Sequence, residues 1–208
     1  MGKEIDLLIN YPKAKRNVEE RGATKSEADR ALARKFDKDF FDGDRKNGYG
    51  GFNYMPRFWQ PVIPTFQEYW NLTSNSSLLD VGCAKGFMLY DFLRANPKLE
   101  VHGIDISSYA IKNCLPEVKN YVTVGNARQL NFADNSYDLV ISINTLHNLK
   151  LDECKEAFKE ASRVSKSHSF IIVDAYRNIE EKKRMESWNL TALTYMSTKE
   201  WELLFAEV

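Results

Sequence analysis

The sequence lacks any apolar run long enough to cross a membrane, and its first residues contain no apolar core of signal-peptide length. It also lacks an excess of either charge, because 29 Lys and Arg residues are balanced by 29 Asp and Glu residues. A balanced chain has no bulk attraction to nucleic acid or to an anionic membrane. We therefore expect a cytoplasmic protein with neither a membrane nor nucleic acid as a partner, and its oligomeric state stays open.

Cysteine is scarce, with only Cys83, Cys114 and Cys154 present. Their number is odd, their spacing is wide, and no C-x-x-C pair or neighbouring histidine accompanies them. This pattern argues against a disulfide framework and a zinc site, and it favours a reducing compartment. No metal is predicted: Asn144 and Asp174 could be imagined as ligands, but no third carboxylate has an obvious place.

From residue 77 onward, segments with strand and helix patterns alternate. Strands are predicted at Ser77–Val81, Glu100–Ile106, Tyr121–Val124, Tyr137–Ile143 and Ser169–Asp174. Helices are predicted at Phe87–Ala95, after Ser107 or Ser108, and along the apolar face marked by Leu151, Cys154, Phe158, Ala161 and Ser165. Because the strands are continuously apolar, they indicate a parallel sheet covered on both faces. Right-handed crossovers make it a doubly wound α/β domain.

The first seventy residues differ in composition. A helix is predicted from near Ser26, with a Thr24–Glu27 capping box, to about Phe40. Eleven of the 26 aromatic residues lie between positions 36 and 70. We interpret residues 1–70 as a helical, aromatic-rich cap on an α/β domain at 71–208. The aromatics either pack the cap onto the sheet or line a ligand pocket.

A glycine-rich loop within the cap, Gly43–Tyr54, is predicted to be mobile and to close over a ligand, because four glycines make an ordered loop entropically expensive. Its aromatic residues Tyr49, Phe52 and Tyr54 are the predicted acceptor-binding residues.

The stretch S-L-L-D-V-G-C-A-K-G-F at positions 77–87 places three small residues, Gly82, Ala84 and Gly86, at alternate positions after a buried strand. In doubly wound sheets ligands bind beyond the carboxyl ends of the strands, and the start of the next helix offers unpaired N–H groups. A dinucleotide site requires G-x-G-x-x-G, whereas this turn has Ala84 second and Phe87 third. The turn therefore predicts a site for a different adenosine cofactor.

Two acids narrow the choice of cofactor. A carboxylate at Asp80 would repel a pyrophosphate but attract an ammonium group, and S-adenosylmethionine carries an ammonium, a sulfonium and no phosphate. Asp105 ends the second strand, 19 residues after Gly86, where an acid accepts both ribose hydroxyls of an adenosine. Together these features predict an S-adenosylmethionine site.

Three stretches carry a family resemblance: L-L-D-V-G-C-A-K-G-F, G-I-D-I-S, and the run from Val124 to Leu149 that contains N-F-A-D-N-S-Y-D-L-V-I-S-I-N-T-L-H-N-L. In order and spacing they resemble the class I S-adenosylmethionine-dependent methyltransferases, above all the small-molecule branch typified by quinone-biosynthesis enzymes. The resemblance covers about Ser77–Asp174, roughly half of the chain.

The resemblance implies a role for each matching residue. It places Asp80 near the methionine amino group, directly or through water, and Asp105 on the ribose. It implies that Asn144 lines the floor beside the methyl group. The remaining implied cofactor contacts are Gly82, Cys83, Ala84 and Gly86 around the methionine moiety, Ile106 against the adenine, and Asn126 with Ala127 at the adenine edge.

Three departures from the family pattern stand out. Ala84 replaces the usual middle glycine, which we expect to be tolerated if its φ is negative. Asn126 replaces a frequent Asp, but an amide can still pair with adenine. The family's final antiparallel hairpin has no counterpart after the helix that a Ser197–Glu200 capping box begins. Either the sheet has five strands or Val208 is not the natural end.

His147 is the best candidate for a general base, since it follows the fourth strand and its ordinary pKa is near neutrality. The alternative is that it only fastens its loop to the cap. Asn144 is the second candidate catalytic residue. Tyr176 and Arg177, just past the fifth strand, are predicted to face the acceptor, and a surface ion pair is the alternative for Arg177.

We therefore expect an enzyme that transfers a methyl group from S-adenosylmethionine to a small-molecule acceptor and releases S-adenosylhomocysteine. Methylation of RNA or protein, and binding of S-adenosylmethionine without catalysis, stay open. Whether O, N or C is methylated cannot be read from the residues.

Overall fold

The centre of the protein is a parallel five-stranded sheet in a computed structural model that describes residues 2–13 and 25–207. Its strands are β1 (Ser77–Val81), β2 (Glu100–Asp105), β3 (Val122–Val124), β4 (Tyr137–Ile143) and β5 (Ser165–Ile172). They lie in the order β3-β2-β1-β4-β5, and every neighbouring pair is parallel. The predicted doubly wound α/β fold is thus confirmed, with the strand order reversing beside β1.

Helices cover both faces of this sheet. Before it come α1 (Glu27–Ala33), α2 (Lys38–Phe41), α3 (Pro56–Trp59) and α4 (Ile63–Tyr69). Connecting the strands are α5 (Phe87–Ala95), α6 (Ser108–Lys112), α7 (Leu151–Val164) and the short 3₁₀ turns Pro116–Val118 and Leu146–Asn148. After β5 come β6 (Ala175–Tyr176), α8 (Ile179–Trp188), β7 (Met196–Ser197) and α9 (Thr198–Glu207), with β6 and β7 paired in parallel.

The core fills both sides of the sheet, as the apolar strands require. All five residues of β1 are buried. Leu78 joins the cluster that contains Phe92 of α5, whereas its neighbour Leu79 joins the cluster that contains Phe158 of α7. Alternate residues of a strand point to opposite faces, so one strand supplies both clusters. Burying a side chain such as Phe92 contributes about 1.5–3 kcal/mol.

The N-terminal segment shares the first of these cores. Val62, Ile63 and Phe66 are fully buried in it. The Phe66 ring meets Phe92 edge-on at 6.1 Å and Phe170 of β5 at 5.0 Å. The cap is therefore built into the sheet's own core, and the domain boundary at residue 70 stays a prediction.

The long helix predicted from Ser26 to Phe40 is in fact two helices, so that prediction was wrong. The chain leaves the helical conformation between α1 and α2, where Phe36 has a φ of 50°. The capping box joins Ser26 to Asp29, with a bond from the Asp29 N–H to Ser26 Oγ of 3.1 Å. The Thr24 side of the predicted box lies outside the described residues.

Strand β5 begins at Ser165, four residues before the predicted start. Its first five residues are polar, and the four after the buried Ser165 are exposed because β5 is an edge strand, so no apolar run marks them. Within residues 2–13 and 25–207 no antiparallel strand is added beyond β5. The predicted Ser197–Glu200 box at the start of α9 is confirmed by a bond of 3.3 Å from the Glu200 N–H to Ser197 Oγ.

Over the described ranges, no helix has both the length and the apolar character needed to span a bilayer.

Candidate active site

A cavity of about 520 Å³ lies beyond the carboxyl ends of β1, β2 and β4, where the strand order reverses. Its walls include Ala84 from the loop after β1, Asp105 and Ile106 at the end of β2, and Asn144 after β4. This is the place where doubly wound sheets bind ligands. The cavity is therefore the candidate active site.

The loop after β1, residues 82–86, is held in place by backbone hydrogen bonds. Gly82 and Cys83 both donate to the Ile104 carbonyl, at 2.8 and 2.9 Å, and the Ala84 N–H donates to Asp105 Oδ2 at 2.7 Å. Ala84 has a φ of 49°. The condition under which we expected Ala84 to be tolerated, a negative φ, is thus not met, and the left-handed conformation strains this alanine.

The two glycines of this loop are explained by packing inside the protein. A Cβ on Gly82 would collide with the Thr145 side chain, and one on Gly86 would lie 2.7 Å from Val118. Both residues also have positive φ, of 90° and 74°. The interpretation that these positions were cleared for a ligand is thus corrected, although Gly82 does line the cavity.

Asp80 is buried beneath the loop, 4% exposed, and the cavity walls do not include it. Burial, with a further contribution from the nearby Asp105 charge, raises the pKa of Asp80 to about 8. No hydrogen bond to its carboxyl group occurs in the described part of the chain. A buried carboxyl group without a donor suits an ammonium ligand reached through a small rearrangement or a water.

Asp105 lines the cavity, and both of its oxygens are engaged. Oδ2 accepts the Ala84 N–H, and Oδ1 accepts the Ser107 N–H at 2.8 Å. Burial raises the pKa of Asp105, and these two hydrogen bonds oppose that rise. Each oxygen keeps a second lone pair, so the carboxylate can still accept a ribose hydroxyl.

The far end of the cavity has the residues expected for an adenine. Ile106 is apolar yet 58% exposed, and it lines the cavity with Asn126 and Ala127. Asn126 Oδ1 accepts the Arg128 N–H at 3.0 Å, which leaves the amide nitrogen as the donor for a base. The structure thus brings Ile106, Asn126 and Ala127 to one end of the site.

Asn144, directly after β4, also lines the cavity. Its φ is 54°, and its backbone N–H donates to the Ile172 carbonyl at 3.0 Å. Ala84 and Asn144 therefore follow the neighbouring strands β1 and β4, both in the left-handed region. Two strained residues at one ligand-facing edge are a pattern typical of functional sites.

His147 lines the cavity, but its ring is fully engaged. Nδ1 accepts the Asp174 N–H at 3.1 Å, and Nε2 faces Asp174 Oδ2 at 3.5 Å. Burial lowers the pKa of His147, and the Asp174 charge opposes this. In this arrangement one ring nitrogen accepts a backbone N–H and the other faces a carboxylate. The ring thus fastens its loop to the segment after β5 rather than to the cap, and the general-base role stays a prediction.

The predicted acceptor residues separate into two groups. Tyr49 lines the cavity. The Phe52 ring stacks on Phe87 at 4.9 Å, and the Tyr54 hydroxyl donates to Asp91 at 2.6 Å, so both pack against α5 outside the cavity walls. Packing, the alternative for these aromatics, is the observed arrangement for Phe52 and Tyr54.

Two further predicted acceptor residues also lie elsewhere. The Tyr176 hydroxyl is 3.4 Å from Glu200, and Arg177 Nη2 is 3.2 Å from Glu4 in an exposed ion pair. Neither side chain is among the cavity walls. The surface ion pair was the alternative for Arg177, and the structure shows it.

Cys83 is buried in the core and packs against Gly103, so it too lies outside the walls. Gly86 is the N-cap residue of α5 and also lies outside the cavity walls.

The close packing of the 43–54 loop explains its glycines. A Cβ on Gly43 would lie 2.6 Å from the Asp39 carbonyl oxygen, and one on Gly48 would collide with the Phe40 carbonyl. Gly50 and Gly51 have positive φ. The glycines thus permit a tight turn, and the inference from glycine content to a mobile loop loses its basis.

Sequence reasoning missed most of the wall that faces the cofactor end. That wall is largely apolar and aromatic, with several cations, and it includes Phe36, Phe40, Phe41, Trp188, Leu190 and Leu193 together with Lys25, Arg34 and Arg45. The aromatics before residue 41 were noted only as cap residues. The segment after α8 carries no motif, and tertiary bonds bring it here: the Leu193 and Thr194 N–H groups both donate to the His147 carbonyl at 3.0 Å.

Among the described residues, no group of three or more His, Cys, Asp or Glu side chains is placed so that it could hold a metal ion.

Solved structures share this fold at low sequence identity. The YcgJ protein of Bacillus subtilis is 18% identical with a TM-score of 0.56, over 70% of this chain and 66% of that one. A candidate methyltransferase (BH2331) of Bacillus halodurans C-125 is 17% identical with a TM-score of 0.54, over 70% and 67%. The [4+2]-cyclase SpnF is 19% identical with a TM-score of 0.57, over 71% and 55%. These likenesses show the fold, and SpnF shows that the fold alone does not define the reaction.

Fold and site together define a Rossmann-like α/β protein with a ligand site at the switch point of its sheet. No curated protein matches the chain by sequence. A family model described as a methyltransferase domain matches residues 79–173, which run from within β1 to the end of β5 and include Asp80, Asp105, Asn126 and Asn144. Residues 79–173 therefore form a methyltransferase domain of the S-adenosylmethionine-dependent type.

Proposed function

We propose that this enzyme methylates a small molecule that binds in the 520 Å³ cavity, between the strand ends and the aromatic wall. The observation that supports the proposal is the continuity of this cavity. Its lining joins Asp105, Ile106 and Asn126, at and after the ends of β2 and β3, with the aromatic residues Phe36, Phe40 and Trp188. A concave, mostly apolar site with a few placed polar groups is typical of small-molecule binding.

The residues present fit S-adenosylmethionine. Asp105 would hold the ribose, Asn126 and Ile106 the adenine, and the buried Asp80 carboxyl group would face the amino group. S-adenosylmethionine, when bound, supplies a methyl group on a good leaving group. The chain's own contribution would be to hold the two reactants in line and to exclude water.

Positioning is sufficient for this chemistry. Proximity and orientation can supply about 7–11 kcal/mol of a barrier. The engaged ring of His147 argues against a dedicated histidine base in this site. Asn144, with its strained backbone, would be a positioning group on the cavity floor.

We infer a cytoplasmic setting for the reaction. All three cysteines are free thiols, and Cys83 and Cys154 are buried. Free thiols persist in a reducing compartment.

The test is turnover of methyl-labelled S-adenosylmethionine with a fractionated metabolite extract, the acceptor being identified by its gain in mass. We expect label in a low-mass fraction, and Asp105→Ala should reduce it at cofactor concentrations that just saturate the wild type. Label only in material that ribonuclease or protease destroys would assign the activity to RNA or protein instead. Calorimetry with S-adenosylhomocysteine should show micromolar binding, about −8 kcal/mol.

A further inference from the structure

Asp42 ends helix α2 and bonds to three separate parts of the molecule. Its Oδ2 accepts the Lys85 ammonium at 2.7 Å and the Tyr109 hydroxyl at 2.7 Å. Its Oδ1 accepts the Phe52 N–H at 2.9 Å. Lys85 Nζ also donates to the Phe52 carbonyl at 2.9 Å. We call these four residues the Asp42 network.

The network is largely closed to water. Lys85 is 6% exposed although it carries a charge, and about a quarter of the Asp42 side chain is exposed. The hydrogen bonds from Lys85, Phe52 and Tyr109 hold the pKa of Asp42 below its ordinary value, against the effect of its partial burial. Removing one partner of such a pair leaves an uncompensated buried charge, which is strongly unfavourable.

Each arm of the network ends next to a wall of the cavity. Lys85 lies between Ala84, which lines the cavity, and Gly86. Tyr109 lies on α6, three residues after the cavity residue Ile106. On the cap side, Asp42 directly follows Phe41, another wall residue. The Asp42 carboxylate thus connects the aromatic wall of the cavity, here called the acceptor wall, with two segments at the strand ends: the 82–86 loop and the segment from Ile106 to α6.

The connection reaches the strained residue of the site. With its ammonium held by Asp42, Lys85 fixes the backbone next to Ala84, whose φ is 49° and whose N–H donates to Asp105. A strained conformation persists only where its surroundings determine it. If Asp42 lost its charge, the Lys85 ammonium would have to turn towards water and would carry the loop with it.

We propose that Asp42 is a positioning residue that holds the 82–86 loop in its binding conformation and couples that loop to the cap, so that cofactor binding is transmitted to the acceptor wall. The proposal rests on the proposed function, because it takes this cavity as the site of cofactor and acceptor. It assigns no contact between Asp42 and either ligand.

The test compares Asp42→Asn with Asp44→Asn, which removes a charge from an exposed position of the same loop. Calorimetry measures S-adenosylhomocysteine binding, and amide exchange measures protection of residues 43–54 with and without it. We expect Asp42→Asn to weaken binding at least about fivefold, the lower end of usual coupling, and Asp44→Asn to leave it within about twofold. In the wild type, S-adenosylhomocysteine should increase the exchange protection of residues 43–54 and of residues 82–86. In Asp42→Asn the increase at residues 43–54 should vanish, whereas the increase at residues 82–86 should remain.

Tyr109→Phe keeps the test decisive if Asp42→Asn does not fold, since it removes one hydrogen bond and leaves the ion pair. It should show a smaller loss of ligand-induced protection in the 43–54 loop at unchanged fold. A ligand-induced increase in that loop that persists in both variants would mean the network only stabilises the fold, and would overturn the proposal while leaving the methyltransferase function intact. If the wild type binds no S-adenosylhomocysteine, the proposed function fails and this proposal with it.

Discussion

At the scale of single residues, Ala84 combines a side chain with a backbone conformation that favours glycine. Its φ of 49° places its Cβ against the following carbonyl. The sequence showed that an alanine stands where glycine is usual, but it did not show the φ of Ala84. That angle is set by the hydrogen bonds from the Ala84 N–H to Asp105 and from Gly82 and Cys83 to the Ile104 carbonyl. The same holds for Asn144, where no sequence signal marked the strain.

Ala84→Gly should therefore stabilise the ligand-free protein. Relief of the left-handed conformation gains about 1–2 kcal/mol, and the added freedom of the unfolded chain offsets about 0.4–1 kcal/mol. Chemical denaturation should show a net gain of roughly 0.5–1 kcal/mol in the free energy of unfolding. Ala95→Gly, at the exposed end of α5, should have the opposite sign. A loss of stability in Ala84→Gly would argue that Ala84 is unstrained.

Asp105→Ala should weaken S-adenosylhomocysteine binding by about 1.5–3 kcal/mol, because the ribose loses a charged acceptor. It should also lower the melting temperature, since the Ala84 and Ser107 N–H groups lose their partner. Asp105→Asn keeps an acceptor oxygen and should spare stability more than affinity. Unchanged affinity in both variants would remove Asp105 from the ribose site.

Asp80 gives the protein a pH dependence of known sign. Its pKa of about 8 in the folded state lies above that of the unfolded chain, so between about pH 4 and pH 8 only the folded state retains the proton. Stability due to Asp80 is thus full below pH 4 and is lost as the pH rises to 8. Thermal unfolding of Asp80→Asn at pH 5 and pH 8 should show a smaller decline than the wild type, with Asp44→Asn as the control. Parallel declines in all three proteins would contradict the assignment.

At the scale of helices and strands, the sequence was most informative where burial alone decides the pattern. β1, α5 and β4 were predicted at their observed bounds, because each is a continuous or periodic apolar segment between clear stop signals. Prediction from the sequence failed where contacts with other parts of the chain determine the secondary structure. The polar start of β5 forms a strand because it pairs with β4. The helical segment predicted to reach Phe40 is interrupted after α1, where Phe36 has a positive φ.

The walls of the cavity illustrate the same limit. Its cofactor end could be predicted, because the strand-end motifs carry it in a fixed order. The segment after α8 could not, because its position depends on Arg30 of α1, whose guanidinium donates to the carbonyls of Glu186 (3.1 Å), Ser187 (2.9 Å) and Asn189.

Arg30→Met should loosen this wall. Three terminal carbonyls of α8 would lose a charged donor, and loss of such bonds costs about 1.5–3 kcal/mol. Urea denaturation should show the decrease, and Arg30→Lys, with one compact charge, should recover only part of it. Arg184→Met, at an exposed site on α8, is the matched control and should change stability by less than about 0.5 kcal/mol. Equal stability of the two methionine variants would mean that Arg30 does not hold α8.

At the scale of the whole molecule, the cap and the sheet are one packing unit. Phe66 lies between Phe92 and Phe170, so it contacts a helix and a strand that are 78 positions apart in the chain. A fragment of residues 71–208 should therefore not fold alone. It would expose Phe92 and Phe170 and leave the cavity without its wall residues Phe36, Phe40 and Phe41. Circular dichroism should show no cooperative thermal transition; a sharp transition would establish residues 71–208 as an autonomous domain.

The packing of Phe66 against Phe92 and Phe170 also affects how such an enzyme could change its substrate over evolution. A cap carried on a hinge can be exchanged between paralogues as a cassette, leaving the cofactor machinery untouched. Here the cap, which carries part of the proposed acceptor site, packs through Phe66 against β5 and α5, so a cap taken from another protein would lack the matching cavity for that ring. Substrate diversification should instead proceed by substitutions at the wall residues themselves, and a grafted cap should function only if positions 92 and 170 travel with it.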